Sequence, residues 1–360
     1  MKIAIIALTD RGIEKAHFIG EEILNSYAVD FYFSEKGLNQ SRQQGKSFQR
    51  LNDIIPGIWQ EYQVLIFIMA AGIVVRQIAP LIKRKDCDPA VLVLDEDGKF
   101  VIPLLSGHLG GANFWAKHLA REMGATAVIT TATDVRGLVA PDEYARRYGW
   151  KVEPLEHLPA VNSLFLKQGY LSFWTSLPFE PQNGPFKDNH YIYSNEKDKA
   201  NIIIEAFFST AVKEECIYLI PPVLSIGVGC RRGISAEIVM ESILHAVRQI
   251  GASPKAISGL NSIDIKSNEA GLIEAAKRLR VPFKTFRADE LQKVIDQNDL
   301  NRSEFVAHKI GVDGVCEAAS LLGTREGRLV LPKIKGNGIT IAISVENFLS
   351  WGLDPGTQTI

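Results

Sequence analysis

Short, uninterrupted apolar runs alternate with longer amphipathic stretches at both ends of the chain. Residues 3–8 (Ile-Ala-Ile-Ile-Ala-Leu) form one such run, and apolar positions recur at helical spacing over 12–25. Residues 29–33 read as a second strand, 36–50 as a polar loop or surface helix, and 64–70 as a β-branched and aromatic strand. Apolar strands of this kind, alternating with helices, predict a parallel sheet covered on both faces. A helix over 72–82 follows. Strands over 91–94 and 100–104 flank Glu96-Asp97-Gly98-Lys99, and Asp-Gly between two β-rich runs predicts a hairpin. A helix over 113–123 and a strand over 127–131 complete the region. The fold class is therefore α/β, with an N-terminal doubly wound, Rossmann-like sheet over 1–134.

Periodicity fades over 135–222, which is rich in proline and aromatic residues and reads as a less regular middle domain or connector, with loops over 175–193. Alternation returns afterwards. Strands are predicted over 223–228, 256–259, 283–286, 328–333 and 338–344. Helices are predicted over 235–250, 268–280, 288–296 and 314–322, the last capped by Asp313. This pattern makes a separate C-terminal α/β domain over 223–346, followed by a tail over 347–360.

Charge narrows the partners. Lys and Arg number 40 against 41 Asp and Glu, a formal net charge of -1. With no basic excess, nucleic acid is not the main partner. The longest apolar stretch, 64–75, is shorter than the ~20 residues of a membrane span. The N-terminal run meets Thr9-Asp10-Arg11 at once, unlike a signal peptide. Cys87, Cys216, Cys230 and Cys316 are widely scattered, which argues against a disulfide framework or a zinc site and for a reducing, cytoplasmic setting.

Four glycine-containing turns could carry chemistry. The first is Leu105-Ser106-Gly107-His108-Leu109-Gly110-Gly111-Ala112-Asn113, between a strand and a helix. Its glycines let backbone approach a ligand, and amides at the helix start attract anions. His108 is the candidate general base or acid, Ser106 a further catalytic candidate, and the Gly110, Gly111 and Asn113 amides candidate oxyanion donors. The bland alternative is a tight turn with a capping histidine. In the second, Thr131, Thr133 and Asp134 end a strand, placed to hold substrate, to orient His108 or merely to cap the next segment. In the third, Gly72 and Arg76 open a helix, where Arg76 suits a carboxylate. The fourth holds Gly229, Arg231, Arg232 and Gly233. Its G-x-G-x-x-x-G spacing is one residue longer than the dinucleotide fingerprint, and Pro254 and Lys255 stand where an acidic ribose ligand belongs. Two surface arginines on a structural turn are the alternative there. Cys230 and Cys316 lack a nearby activating base and read as inert thiols.

Together these segments resemble one family. Ile73-Val74-Val75-Arg76, Asp88-Pro89-Ala90-Val91, the 105–113 string and Val128-Ile129-Thr130-Thr131-Ala132-Thr133-Asp134 are similar to the N-terminal half of cobalt-precorrin-5A hydrolases. Gly227-Val228-Gly229-Cys230-Arg231-Arg232-Gly233, Ser262-Ile263-Asp264-Ile265-Lys266 and Gly311-Val312 with Val315-Cys316-Glu317-Ala318-Ala319 resemble their C-terminal domain. The resemblance implies a hydrolase of anaerobic cobalamin biosynthesis. It would open the ring A δ-lactone of cobalt-precorrin-5A and release acetaldehyde, leaving cobalt-precorrin-5B. It also implies no cofactor beyond the cobalt carried by the substrate, and no metal ligands in the protein. On this reading His108 activates water, Asp134 is a candidate proton donor, and Arg76, Arg231 and Arg232 grip carboxylates of the one substrate. Neighbouring pathway enzymes and a second copy of the chain stay open as partners. The alternative is a non-catalytic protein that binds and delivers a corrinoid intermediate.

Overall fold

The computed structural model describes residues 1–35, 45–176, 189–208, 215–298, 300 and 313–347. Gly311 and Val312, most of the segment read as loop over 175–193, and 348–360 of the expected tail lie outside the described residues. The chain divides into two compact units, Met1–Arg147 and Tyr148–Gln358.

The first unit is built on a seven-stranded sheet. Its strands are β1 (Lys2–Ala7), β2 (Ala28–Ser34), β3 (Lys46–Phe48), β4 (Val64–Ile68), β5 (Ala90–Leu94), β6 (Phe100–Leu105) and β7 (Thr126–Ala127), in the order β3-β2-β1-β4-β5-β6-β7. Its helices are α1 (Asp10–His17), α2 (Leu51–Glu61), α3 (Ala71–Ile78), α4 (Ala112–Met123), α5 (Ala132–Val135) and α6 (Pro141–Arg147). This is doubly wound topology. Apart from the exposed Lys2 at the start of β1, the strands β1, β4 and β5 are apolar because both their faces are covered. Ile3, Ile5 and Ile66 pack with Trp115 and Leu119 of α4, while Ile6, Leu65 and Phe67 pack with Ile55 of α2 and Val74 of α3.

Two expectations change here. The polar stretch 36–50 contributes an edge strand, β3, paired in parallel with β2 through Tyr32↔Lys46 and Phe33↔Ser47. The helix expected over 12–25 ends as α1 at His17 and continues as a π-turned segment, Phe18–Ile23.

The hairpin forms as the Asp-Gly turn requires, with Gly98 at φ 71°. β6 runs antiparallel to β5, pairing Leu105 with Val91, and β7 runs parallel to β6. The chain after β6 therefore leaves the sheet beside the amino end of β5. The turn after β4 emerges at the opposite end.

The second unit holds two five-stranded sheets. Short strands β8 (Lys151–Glu153), β9 (Leu171–Thr175), β10 (Tyr191–Tyr193), β11 (Ile202–Ile204) and β12 (Ile217–Ile220) form the first, ordered β10-β9-β11-β12-β8, beside α7 (Leu158–Gln168). The second comprises β13 (Leu224–Cys230), β14 (Ile257–Ile263), β15 (Phe283–Phe286), β16 (Arg328–Gly336) and β17 (Ile339–Val345), ordered β15-β14-β13-β17-β16. β13, β14 and β15 are parallel, and β16–β17 is an antiparallel hairpin. Helices α8 (Ala236–Gln249), α9 (Ala270–Leu279), α10 (Ala288–Asn298) and Cys316–Leu322 accompany this sheet. Asp313 does not cap the last of these. Val315 takes that position, and Asp313 instead exchanges hydrogen bonds with the Gln292 side chain, both 3.1 Å. No helix among the described residues is long and apolar enough to cross a membrane.

Candidate active site

The turn after β6 is shaped by close packing. Ser106 adopts φ 58° and Gly111 φ 84°. A Cβ on Gly110 would lie 2.4 Å from Ser106 Cβ and 2.8 Å from its carbonyl oxygen, so only glycine fits. The amides of Gly111, Ala112 and Asn113 donate to the carbonyls of His108, Ser106 and Gly107 at 3.0, 3.1 and 3.0 Å. Two of the three expected oxyanion donors, Gly111 and Asn113, are thus used by the turn itself. The amides of Gly107, His108, Leu109 and Gly110 donate to no described residue. Ser106 Oγ donates to the Asp88 carbonyl at 3.2 Å, an acceptor too weak to activate a nucleophile.

His108 lies between two carboxylates. Its Nε2 is 3.1 Å from Asp134 Oδ2 and its Nδ1 3.3 Å from Asp142 Oδ2, with all three side chains at most 10% exposed. Burial pulls the imidazole pKa down, but hydrogen bonds and charge attraction from Asp134 and Asp142 outweigh it, and the ring is pushed up to about 10. At neutral pH it is an imidazolium with both N–H groups engaged. It has no lone pair for a water proton, so the general-base role expected of His108 does not fit this geometry.

Asp134 is held as an anion. Burial raises its pKa, but the His108 ring and Lys117 hold it well below the usual carboxylate range. Lys117 Nζ donates to Oδ1 at 2.6 Å, and Asn113 Nδ2 donates to Oδ2 at 2.8 Å. An anion this well satisfied is a counter-ion, and the proton-donor role expected of Asp134 is corrected accordingly. Thr133 Oγ1 lies 3.2 Å from His108 Nε2, and Thr131 Oγ1 accepts from Asn113 Nδ2 at 2.9 Å. The first two turns therefore meet in one buried polar cluster. In an imidazole NMR titration His108 should show no protonation change between pH 5 and 8. A midpoint near 6.5 would contradict the two-carboxylate clamp.

Three members of the cluster escaped the sequence reading: Lys117, Asp142 and Arg146. Lys117 stands four residues after Asn113 on α4 and so shares its face. Asp142 and Arg146 are likewise four apart on α6. Pro141 followed by Asp142 and Glu143 is a helix-start signal that would have revealed that element. Arg146 lies beside Gly111, where a Cβ would sit 3.2 Å from Arg146 Cδ, and over the Phe114 ring at 4.8 Å. Among the described residues its Nε and Asp142 Oδ1 are buried without a hydrogen-bond partner.

Comparison with known proteins bears on what this cluster serves. Residues 53–134, 139–221 and 224–344 match the families described as Cobalamin synthesis G N-terminal, Cobalamin biosynthesis central region and Cobalamin synthesis G C-terminus. A cobalt-precorrin-5A hydrolase of Salmonella typhimurium is 32% identical over 292 residues, spanning 79% of this chain and 82% of its own. The chain belongs to the cobalt-precorrin-5A hydrolase family. The Priestia megaterium hydrolase is 30% identical, spanning 95% of this chain and 94% of its own. A probable cobalt-precorrin-5A hydrolase of Methanocaldococcus jannaschii is 29% identical, spanning 96% of this chain and all of its own. In this family member the cluster crosses a family-segment boundary. His108 and Asp134 fall within the first match, Asp142 and Arg146 within the central one.

The other expected residues lie elsewhere. Arg76 is exposed, and its Nη1 donates to the Gly72 carbonyl at 2.9 Å, at the carboxyl end of β4. The six residues of β6 span roughly 20 Å, so Gly72 and Arg76 sit at the other end of the sheet from His108. By distance alone His108, Asp134 and Glu143 could hold a metal, their donor atoms lying within 4.8 Å of one another. Protein cations already serve those carboxylates: Lys117 on Asp134, and Arg147 on Glu143 at 2.5 Å.

The fourth turn belongs to the second unit. The Gly233 amide donates to Glu269 Oε1 at 2.7 Å, and Lys266 holds the other oxygen of that carboxylate at 2.9 Å. The anion position expected at Gly233 is thus filled by the protein's own side chain. Gly229, Arg231 and Arg232 line an open cleft of about 900 Å³. Burial pushes the Cys230 thiol up and the Cys316 thiol up to about 11, so neither is an activated nucleophile.

Proposed function

We propose that this chain hydrolyses cobalt-precorrin-5A at the His108 turn, opening the ring A δ-lactone and releasing acetaldehyde to give cobalt-precorrin-5B. One observation carries the reading: a buried imidazolium clamped by Asp134 and Asp142 beside four amides with no acceptor among the described residues. In a family of hydrolases, that arrangement supplies an acid and an oxyanion site side by side.

The Gly107–Gly110 amides are placed for the oxyanion that forms when water adds to the lactone carbonyl. Asp142 Oδ1, a buried oxygen with no partner among the described residues, takes the water proton while Oδ2 rests on His108 Nδ1. The His108 imidazolium protonates the oxygen released when the ring C–O bond breaks. That hydroxyl sits on the carbon bearing the methyl group. As it becomes the aldehyde carbonyl it returns its proton to the now neutral His108 ring, the adjacent C–C bond pair passes to the macrocycle, and the proton that Asp142 took from water ends on the macrocycle carbon. Asp134 keeps the ring oriented, and Arg146 adds positive charge at the turn. The cobalt is part of the substrate, and no further cofactor enters the scheme. We place the reaction in the cytoplasm, without nucleic acid or membrane as a partner.

The test is to incubate pure protein with cobalt-precorrin-5A and measure acetaldehyde. Release at an undiminished rate after EDTA treatment is expected. No release would remove the hydrolase reading. Loss with EDTA that zinc or magnesium restores would remove the cofactor-free scheme.

A further inference from the structure

We infer that the second unit carries a binding site of its own: the cleft at the carboxyl ends of β13 and β14 takes a polycarboxylated tetrapyrrole macrocycle. The inference borrows the ligand class from the proposed reaction, but nothing from the His108 chemistry.

Charge is the first argument. Arg231, Arg232, Lys333 and Lys335 line the cleft, and none forms an ion pair among the described residues. Among the described residues no acidic side chain lines it. In a chain with 40 basic and 41 acidic residues, four unpaired cations around one concavity are a local excess. Like charges gathered this way repel unless an anion sits between them.

Shape and polarity supply the second. The cleft, about 900 Å³, lies within the range of small-molecule sites. The lining also includes apolar side chains, among them Val315 and Ile265, which is 60% exposed. A flat apolar body with anionic groups around its rim matches both features. Gly229 keeps the floor open, since a Cβ there would fall 2.6 Å from Thr340 Oγ1. Carboxyl ends of parallel strands are also where open α/β sheets collect ligands.

A nucleoside phosphate fits less well. The backbone amide that would cradle a phosphate, Gly233, is already bonded to Glu269. The free positive groups are side chains spread along a rim, which suits several separated carboxylates better than one compact phosphate chain.

The probe is uroporphyrin III, which has eight carboxylates, no cobalt and no lactone. Full-length protein is titrated with it and followed by porphyrin absorbance and fluorescence. Saturable binding is expected, weakening as salt rises. The R231A/R232A and K333A/K335A pairs should each weaken it at least tenfold, and K99A, at an exposed lysine paired with Asp97 in the first unit, should leave it unchanged. Arg231, Arg232 and Lys335 are exposed and Lys333 is half-buried, so thermal unfolding of R231A/R232A should match wild type; R232E provides a second, charge-reversed variant. Absence of binding, binding indifferent to these variants, or equal displacement by ATP would overturn the site. Binding that persists in a protein releasing no acetaldehyde would sink the hydrolase reading alone.

Discussion

Replacing His108 with alanine is expected to cost the first unit about 3–5 kcal/mol, the usual penalty for removing one partner of a buried ion pair. It should also slow acetaldehyde release by about 10²–10⁴-fold, as loss of a general acid does. The substitution leaves Asp134 and Asp142 facing each other while almost wholly buried, with Lys117 on only one of them. The pH dependence follows from the direction of each shift. The His108 pKa is raised, so its contribution is complete below the unfolded value of about 6.5 and is lost as pH rises toward 10. The Asp134 pKa is lowered, so its contribution is present above about 4 and is lost as acid is added. Wild-type stability should therefore decline on the alkaline side. H108A should instead gain stability as pH falls from 7, because its buried carboxylates can then accept protons. Adding D142N to H108A should restore part of the stability and none of the activity. Urea unfolding at pH 7 decides the matter: an H108A protein as stable as wild type would mean that the clamp is not formed.

Gly227→Ala should unfold the C-terminal sheet region, at a cost of about 3 kcal/mol or more. Gly227 lies in β13 under the helix Cys316–Leu322, and a Cβ there would fall 1.8 Å from the Cys316 carbonyl oxygen and 2.7 Å from the Ser320 nitrogen. Both are backbone atoms of that helix and cannot swing aside as a side chain can. Accommodating one methyl group would lift the whole helix from the strand. Gly233→Ala is the control: its φ of 77° strains an alanine, but the added Cβ meets nothing within 4 Å. It should cost only about 1–2 kcal/mol, the left-handed penalty. Equal thermal shifts for the two variants would refute the close-packing account.

Sequence alone settled the element types wherever periodicity was long. The apolar runs of β1, β4 and β13 and the helices α4 and α8 follow directly from side-chain spacing, and the Asp97-Gly98 turn implies its hairpin. It also placed Gly107, Gly110 and Gly111 with His108 in one strand-to-helix turn, and made Asp134 a candidate to orient the ring. Signals became weak where strands were three or four residues long, as over β8, β10, β11 and β12, because so few positions establish no period. Direction and burial belonged to the tertiary structure. The hairpin reverses β6, which sends the His108 turn to one end of the sheet and leaves Arg76 at the other, although both follow apolar strands in similar sequence contexts. Asp142 reaches the imidazole only because α6 docks beside the turn. That docking determines the protonation state: a histidine alone in its turn is a base near neutrality, and one buried between two carboxylates is an acid, because the charge is set by neighbours that the chain brings together only on folding.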